Sequence, residues 1–290
     1  MKVERLKTKN VDEFKNLLEE VKDVYKYRND YYNYYNKKSF LQKLLIRKLV
    51  KLIKVDNKYI GYIWADYPAI TSIHLKDFYI KKEYFNILSP SFLEFLNSNS
   101  VYYETYENCI SAKIFDRLSM KKIKSTDLLK KTIDLIPEVV TSKNITFSLC
   151  RKEKDSKKRC EVQNLIFNKD SRMPLSVQDI IYDEKTDYYI EDLCLFLLKD
   201  NKIIGYGQII YSRSMYMIVN FGVIEEFRSN GYGYILINKL ICLAVNKGIT
   251  ELYVRVEKNN FIAKSLYYKV GFSDVGNIST WQWKKNLSIL

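Results

Sequence analysis

The segment that most constrains the fold of this chain runs from residue 216 to residue 246. Residues 216–223 (YMIVNFGV) read as a strand. Residues 234–246 (YILINKLICLAVN) place Ile235, Leu236, Leu240, Ile241, Leu243 and Ala244 on one wide helical face. Between them lies Arg228-Ser229-Asn230-Gly231-Tyr232-Gly233. A strand, a glycine loop and a helix N-terminus in that order form an anion site, because free backbone N–H groups and the positive helix end converge there. Glycines let the backbone approach a ligand, and Arg228 adds a planar charged fork. The arrangement suits a pyrophosphate. It is not the dinucleotide fingerprint, since Leu236 stands where the third glycine belongs, and it is not a P-loop, since no Gly-Lys-Ser/Thr follows.

The surroundings extend the pattern. Residues 193–198 and 203–211 read as strands joined by a turn at Asp200-Asn201-Lys202, and Lys247-Gly248 ends the helix. Residues 252–256 form a further strand, and 27 residues after Gly233 comes Asn260-Phe261-Ile262-Ala263-Lys264-Ser265-Leu266-Tyr267-Tyr268-Lys269-Val270-Gly271-Phe272. Asn260 is placed to cap the short helix that begins at Phe261.

The two motifs together, [RQ]-x-x-G-x-[GA] and N-x-x-A-x-x-L-Y-x-x-x-G-F, resemble those of the GCN5-related N-acetyltransferases (GNAT), over residues 145–290. The resemblance implies an α/β (α+β) fold, a mixed and mostly antiparallel sheet flanked by helices. It implies acetyl-CoA as co-substrate, no metal, and direct transfer to a primary amine of a small-molecule or peptide acceptor. Backbone of Phe221, Gly222 and Val223 would then meet the pantetheine arm and thioester. Arg228, Ser229, Asn230, Gly231, Tyr232 and Gly233 would hold the pyrophosphate, Asn260 would contact CoA, and Tyr267 would protonate the departing thiolate. The chemistry is coherent: backbone N–H groups near Val223 can stabilise charge on the thioester oxygen, and a positioned phenol can serve the sulfur. The base that neutralises the amine is unassigned; Glu225 and Glu226 are the nearest acids in sequence, with Glu191, Asp192 and Glu257 behind them. Trp281 and Trp283 face one side of the last strand and read as core, with an acceptor-pocket wall as the alternative.

The first half echoes the second. DNKYIGY (56–62) matches DNKIIGY (200–206), LKDFYIKKEYF (75–85) matches VNFGVIEEFR (219–228), and residues 101–122 match 252–273. The first copy is shorter just where the second carries RSNGYG. It has Phe85 at that place, Asp116 in place of the tyrosine, and Met120-Lys121 in place of Gly-Phe. The chain therefore reads as two tandem GNAT folds, a degenerate domain over 1–141 and a catalytic domain over 142–290.

Composition narrows the alternatives. One histidine and five scattered cysteines argue against a His triad, a zinc knuckle and a disulfide framework. The net charge of +14 favours anionic partners, but the basic residues are spread, which argues against nucleic acid. No apolar run spans a membrane and no leader is visible at the N-terminus, so a cytoplasmic protein with no membrane partner, monomer or homodimer, is expected. A non-catalytic acyl-CoA-binding or sensing protein is the rival reading.

Overall fold

Both Asp-Asn-Lys segments close hairpins in the same way. Asp56 and Asn57 have φ of 46° and 63°, and Asp200 and Asn201 have 48° and 63°. Consecutive left-handed residues make the type I′ turn whose twist matches that of paired strands. The computed structural model describes residues 1–22, 27–69, 71–139, 144–167 and 173–285. It divides into two units, 1–126 with 276–290, and 127–275.

The first unit contains β1 (Lys2–Arg5), α1 (Val11–Lys22), α2 (Tyr31–Asn36), α3 (Phe40–Lys48), β2 (Val50–Val55), β3 (Lys58–Ala69), β4 (Ser72–Ile80), β5 (Ser100–Tyr106) and α4 (Cys109–Arg117). β6 (Lys121–Thr132) carries residues of both units. The second unit continues with β7 (Ile145–Leu149), α5 (Ser156–Ile166), α6 (Val177–Glu184), β8 (Cys194–Lys199), β9 (Lys202–Ser212), β10 (Met215–Val223), α7 (Tyr232–Asn246), β11 (Glu251–Glu257) and α8 (Phe261–Lys269). The last strand, β12 (Ser273–Lys284), enters the first unit at Gly276.

In the first unit the strand order is β1-β2-β3-β4-β5-β12, and in the second it is β6-β11-β10-β9-β8-β7. Among the pairs whose register is described, β4 with β5 and β10 with β11 are parallel and the others antiparallel. Each sheet sends alternate side chains to opposite faces. On β3, Ile63 joins the cluster of Phe78, Phe115 and Trp283, while Tyr62 and Trp64 join Phe14, Leu17 and Val21. On β8, Leu195 and Leu197 pack with Leu236 and Leu240 of α7, while Cys194 and Phe196 pack with Val162 and Ile166 of α5. Each fully buried Leu or Phe contributes about 1.5–3 kcal/mol, so these layers hold the strands that carry the site.

The compact units are not collinear with the expected division into 1–141 and 142–290. Leu129 belongs to the second unit's core, and Ile133 N–H donates to Thr250 O at 2.8 Å. Conversely, β12 pairs with β5 from Ile278↔Tyr106 to Lys284↔Ser100. Trp283 is buried in the first unit and donates Nε1–H to Pro90 O at 2.6 Å, and the Trp281 ring lies 4.6 Å from that of Phe115. Both tryptophans are therefore core of the first unit, not the wall of a pocket in the second. Between β4 and β5 the described residues form only short 3-10 turns, Lys82–Ile87 and Glu94–Leu96, where the second unit has the long helix α7.

Candidate active site

The site begins with a break in strand pairing. β10 and β11 run parallel with Met217 opposite Tyr253 and Ile218 opposite Val254, and no register pair follows, although β10 continues to Val223 and β11 to Glu257. On its other side β10 stays paired with β9, but the register shifts between Val219 and Gly222. The cause is local: Asn220 has φ 49°, a left-handed residue that bulges the strand. Two parallel strands that part leave backbone N–H and C=O groups facing the gap, ready for an extended ligand.

Small residues bring the walls close to this bulge. A Cβ on Gly222 would run into the Ile166 side chain at the end of α5. A Cβ on Gly207 would meet Leu240 at 2.7 Å and the Phe221 ring at 3.1 Å. Phe221 is thereby seated on β9 and α7, with its ring centroid 6.2 Å from that of Tyr267.

The loop that follows prepares a helix start without a side-chain cap. Ser229 and Gly231 both have positive φ, 64° and 77°, and Gly231 is the N-cap residue of α7. Ile235 N–H already bonds Gly231 O, but the N–H groups of the first turn have no capping side chain. Tyr232 and Gly233 lie in that turn, and Gly233 admits Leu266 of α8 at 3.2 Å from where its Cβ would be. Uncapped N–H groups at the positive end of a fifteen-residue helix favour an anion. Asn230 turns its amide back to donate to Arg228 O at 2.8 Å. Arg228 differs from the sequence expectation of a free phosphate ligand. Its Nε donates to Val223 O at 3.0 Å and its Nη2 to Ile166 O at 2.8 Å, so the guanidinium ties the end of β10 to the end of α5.

Helix α8 carries the other two expected residues. Asn260 caps it, with Oδ1 accepting from Ala263 N–H at 3.2 Å. Tyr267 is 7% exposed and its ring packs against Phe221 and Phe272. Its hydroxyl makes no hydrogen bond to a described residue, and burial alone pushes its pKa up to about 12. The phenol therefore stays protonated at any physiological pH. The candidate acids are less well placed. Glu225 and Glu226 form a short exposed 3-10 turn, Glu191 and Asp192 are exposed with Asp192 paired to Lys247, and Glu257 is exposed.

A buried polar cluster beside the bulge is absent from the sequence reading. Arg159 of α5 is 1% exposed and reaches Asp183, Glu184 and Gln208, the last at 2.8 Å. Gln208 Oε1 also accepts from Tyr206 Oη at 2.7 Å and from Asn220 Nδ2 at 3.4 Å. Glu184 Oε2 accepts from Ser156 Oγ at 2.8 Å. Arg159 Nε and Gln208 Nε2 remain buried with no partner. Two signals in the sequence do mark this cluster: Gln208 and Asn220 each interrupt an otherwise apolar strand.

Residues 164–272 match the family model described as acetyltransferase (GNAT) family. No curated protein matches the sequence. Among solved structures, a GCN5-related N-acetyltransferase from Sphaerobacter thermophilus superposes with a TM-score of 0.64 at 14% identity, over 81% of this chain and 80% of that one. A tandem GNAT protein from the clavulanic acid biosynthesis pathway gives 0.61 at 7% identity, over 81% and 82%. A GNAT-family acetyltransferase from Colwellia psychrerythraea gives 0.62 at 11% identity, over 98% and 100%. These likenesses are of fold: a helix-flanked mixed sheet, including the tandem form.

Proposed function

From a chain whose residues 164–272 form a domain of the acetyltransferase (GNAT) family, we propose that the second unit transfers an acetyl group from acetyl-CoA to a primary amine, and that the first unit is a degenerate copy without a working donor site. The observation that carries this reading is the parting of β10 and β11 after Ile218 and Val254, followed in the chain by the uncapped start of α7. The gap offers backbone to an extended arm, and the helix start offers N–H groups to phosphate oxygens. Acetyl-CoA supplies an activated thioester at that place.

The residues divide the work as follows. Backbone from Asn220 to Val223 lines the gap, and its N–H groups can stabilise charge that develops on the thioester oxygen. The loop from Ser229 to Gly233 holds the pyrophosphate through N–H groups. Arg228 acts through the backbone it ties, and Asn260 caps α8 with its oxygen while its amide N–H groups remain for CoA. As the amine nitrogen bonds to the carbonyl carbon, the C–S bond breaks and the electron pair stays on sulfur; the amine's extra proton leaves to solvent. Tyr267 stands beside Phe221 with a free hydroxyl. A phenol at about pKa 12 gives its proton to a thiolate whose conjugate thiol has a pKa of about 8.5 uphill by roughly 5 kcal/mol. Its contribution is therefore a hydrogen bond that strengthens as charge builds on sulfur, with the final proton drawn from water. Protein position supplies much of the remaining rate.

Calorimetric titration of acetyl-CoA into the wild type and into Gly231→Asp tests the reading, with a free-thiol assay over a panel of amines. One site, lost in the variant because a carboxylate would sit against the phosphates, is the expected result. Binding with no thiol release from any amine would leave an acyl-CoA-binding protein. Two sites would mean that the first unit keeps a working donor site.

A further inference from the structure

Helix α3 belongs to the first unit, whereas the residues of the proposed donor site belong to the second. Its inward residue is Ile46, 5% exposed and packed with Tyr31 and Trp64. Its outward residues are apolar as well. Phe40 is 75% exposed, Leu41 73%, Leu44 44% and Leu45 60%. With spacings of one, four and five residues, the four share one face of the helix. A solvent-facing helix of nine residues ordinarily carries polar side chains on such a face. The helix is firmly made, with Ser39 and Gln42 forming a capping box.

The charge around this ridge is one-sided. From Tyr31 to Val55 the sequence has seven Lys or Arg and no Asp or Glu. Aromatic side chains hold several of these cations in place: Lys38 lies 4.8 Å from the Tyr34 ring centre, Lys43 lies 5.5 Å from that of Tyr35, and Arg47 Nε donates to Tyr35 Oη at 2.8 Å. An apolar ridge carried on a segment whose own charges are all cationic has two requirements, a low-dielectric phase for the ridge and negative charge for the flanking cations. A second copy of this chain would meet the first and violate the second, because a two-fold interface sets the same cations against each other. A phosphate backbone would meet the second and leave the ridge in water. The headgroup layer of an anionic lipid bilayer meets both.

We propose that the α3 face of the first unit binds the surface of an anionic membrane, with Phe40, Leu41, Leu44 and Leu45 entering the headgroup–acyl boundary and the surrounding Lys and Arg contacting lipid phosphates. The chain lies on the bilayer and does not cross it, since no described helix is long and apolar enough to span. This departs from the sequence expectation of no membrane partner. The proposal is independent of acetyl transfer.

Vesicle flotation with the full chain tests it, using phosphatidylcholine vesicles with and without phosphatidylglycerol. The wild type is expected to float with the anionic vesicles only and to be released by high salt, because exposed charges are screened beyond about 3 Å at 1 M. The double variant Leu41→Gln with Leu45→Gln leaves the charge and the helix propensity intact. It should weaken flotation at least about tenfold by removing inserted apolar surface, while its circular dichroism melt stays that of the wild type. Failure of the wild type to float with anionic vesicles overturns the proposal, as does flotation unchanged by the glutamines. A dimer seen by light scattering that the glutamines abolish, without flotation, would assign the ridge to a second copy. Salt-sensitive DNA binding unaffected by the glutamines, without flotation, would assign the charge to nucleic acid.

Discussion

Tyr267 shows how burial sets a residue's chemistry. Its ring is fixed between Phe221 and Phe272, and its hydroxyl has no partner among the described residues. Tyr267→Phe should therefore leave the fold within about 0.5 kcal/mol of the wild type at neutral pH, while lowering the turnover of acetyl transfer about a hundredfold with little change in acetyl-CoA affinity. The same residue has a signature in alkali. The folded phenol titrates near pH 12 and the unfolded one near its ordinary value of about 10. Above pH 10 the unfolded chain releases a proton that the folded chain keeps, so stability is full below pH 10 and falls as pH rises toward 12, by on the order of 2–3 kcal/mol from this residue. Denaturant midpoints at pH 9 and pH 11 check this; the drop should be smaller in the phenylalanine variant. The places of Tyr267 and Asn260 on α8 and of Gly231 at the start of α7 were legible in the sequence, because each sits at a fixed covalent spacing within its motif. The bonds of Arg228 to Val223 O and Ile166 O were not legible. What its guanidinium touches depends on where the end of α5 lies, which no spacing near residue 228 encodes.

At the scale of elements, the strands and helices expected between residues 193 and 269 lie within a residue or two of β8 to β11, α7 and α8, because alternation and helical spacing are local properties, whereas α5 and α6 were not expected. The cluster that holds α5, α6 and β9 together is not local. Arg159 meets Asp183 24 residues away and Gln208 49 residues away, and no motif joins them. Glu184, 1% exposed, has the guanidinium, the Ser156 hydroxyl and the Glu153 backbone N–H as its compensation for burial. Arg159→Met keeps the volume and removes the charge, leaving carboxylates in a site built for a cation. The expected cost is about 3–5 kcal/mol in chemical denaturation. Adding Glu184→Gln to that variant should restore part of it, since the amide tolerates burial without a cation. A null effect of Arg159→Met would mean that water, not the arginine, satisfies these acids. Because Gln208 also receives the Asn220 amide, loss of Arg159 should reach the bulge of β10 as well.

At the scale of the whole molecule, the repeat in the sequence leads to an expected division at 141, whereas the compact units divide at 126 and the first takes up the end of the chain from Gly276. The partner of β12 is chosen by packing: Trp283 is buried in the cluster of Phe78 and Phe115, Ile278 is buried opposite Tyr106, and their sequence alternation is equally compatible with either sheet. This choice has a measurable consequence. The chain's three tryptophans, Trp64, Trp281 and Trp283, all fall in the first unit, whereas the proposed donor site lies wholly in the second. Tryptophan fluorescence thus reports one unit and acetyl-CoA addresses the other. β6 and β12 each carry residues of both units, so neither unit can lose its strands without drawing on a segment of the other. Unfolding should then be one transition, with tryptophan fluorescence and far-ultraviolet circular dichroism giving the same midpoint. Acetyl-CoA at a hundred times its Kd should add about 2.7 kcal/mol and raise that shared midpoint by a few degrees. If the ligand moved only a circular dichroism transition and left the fluorescence midpoint in place, the units would be energetically separate despite the exchanged strand. In the wild type, the tryptophans should therefore register a ligand that touches none of them.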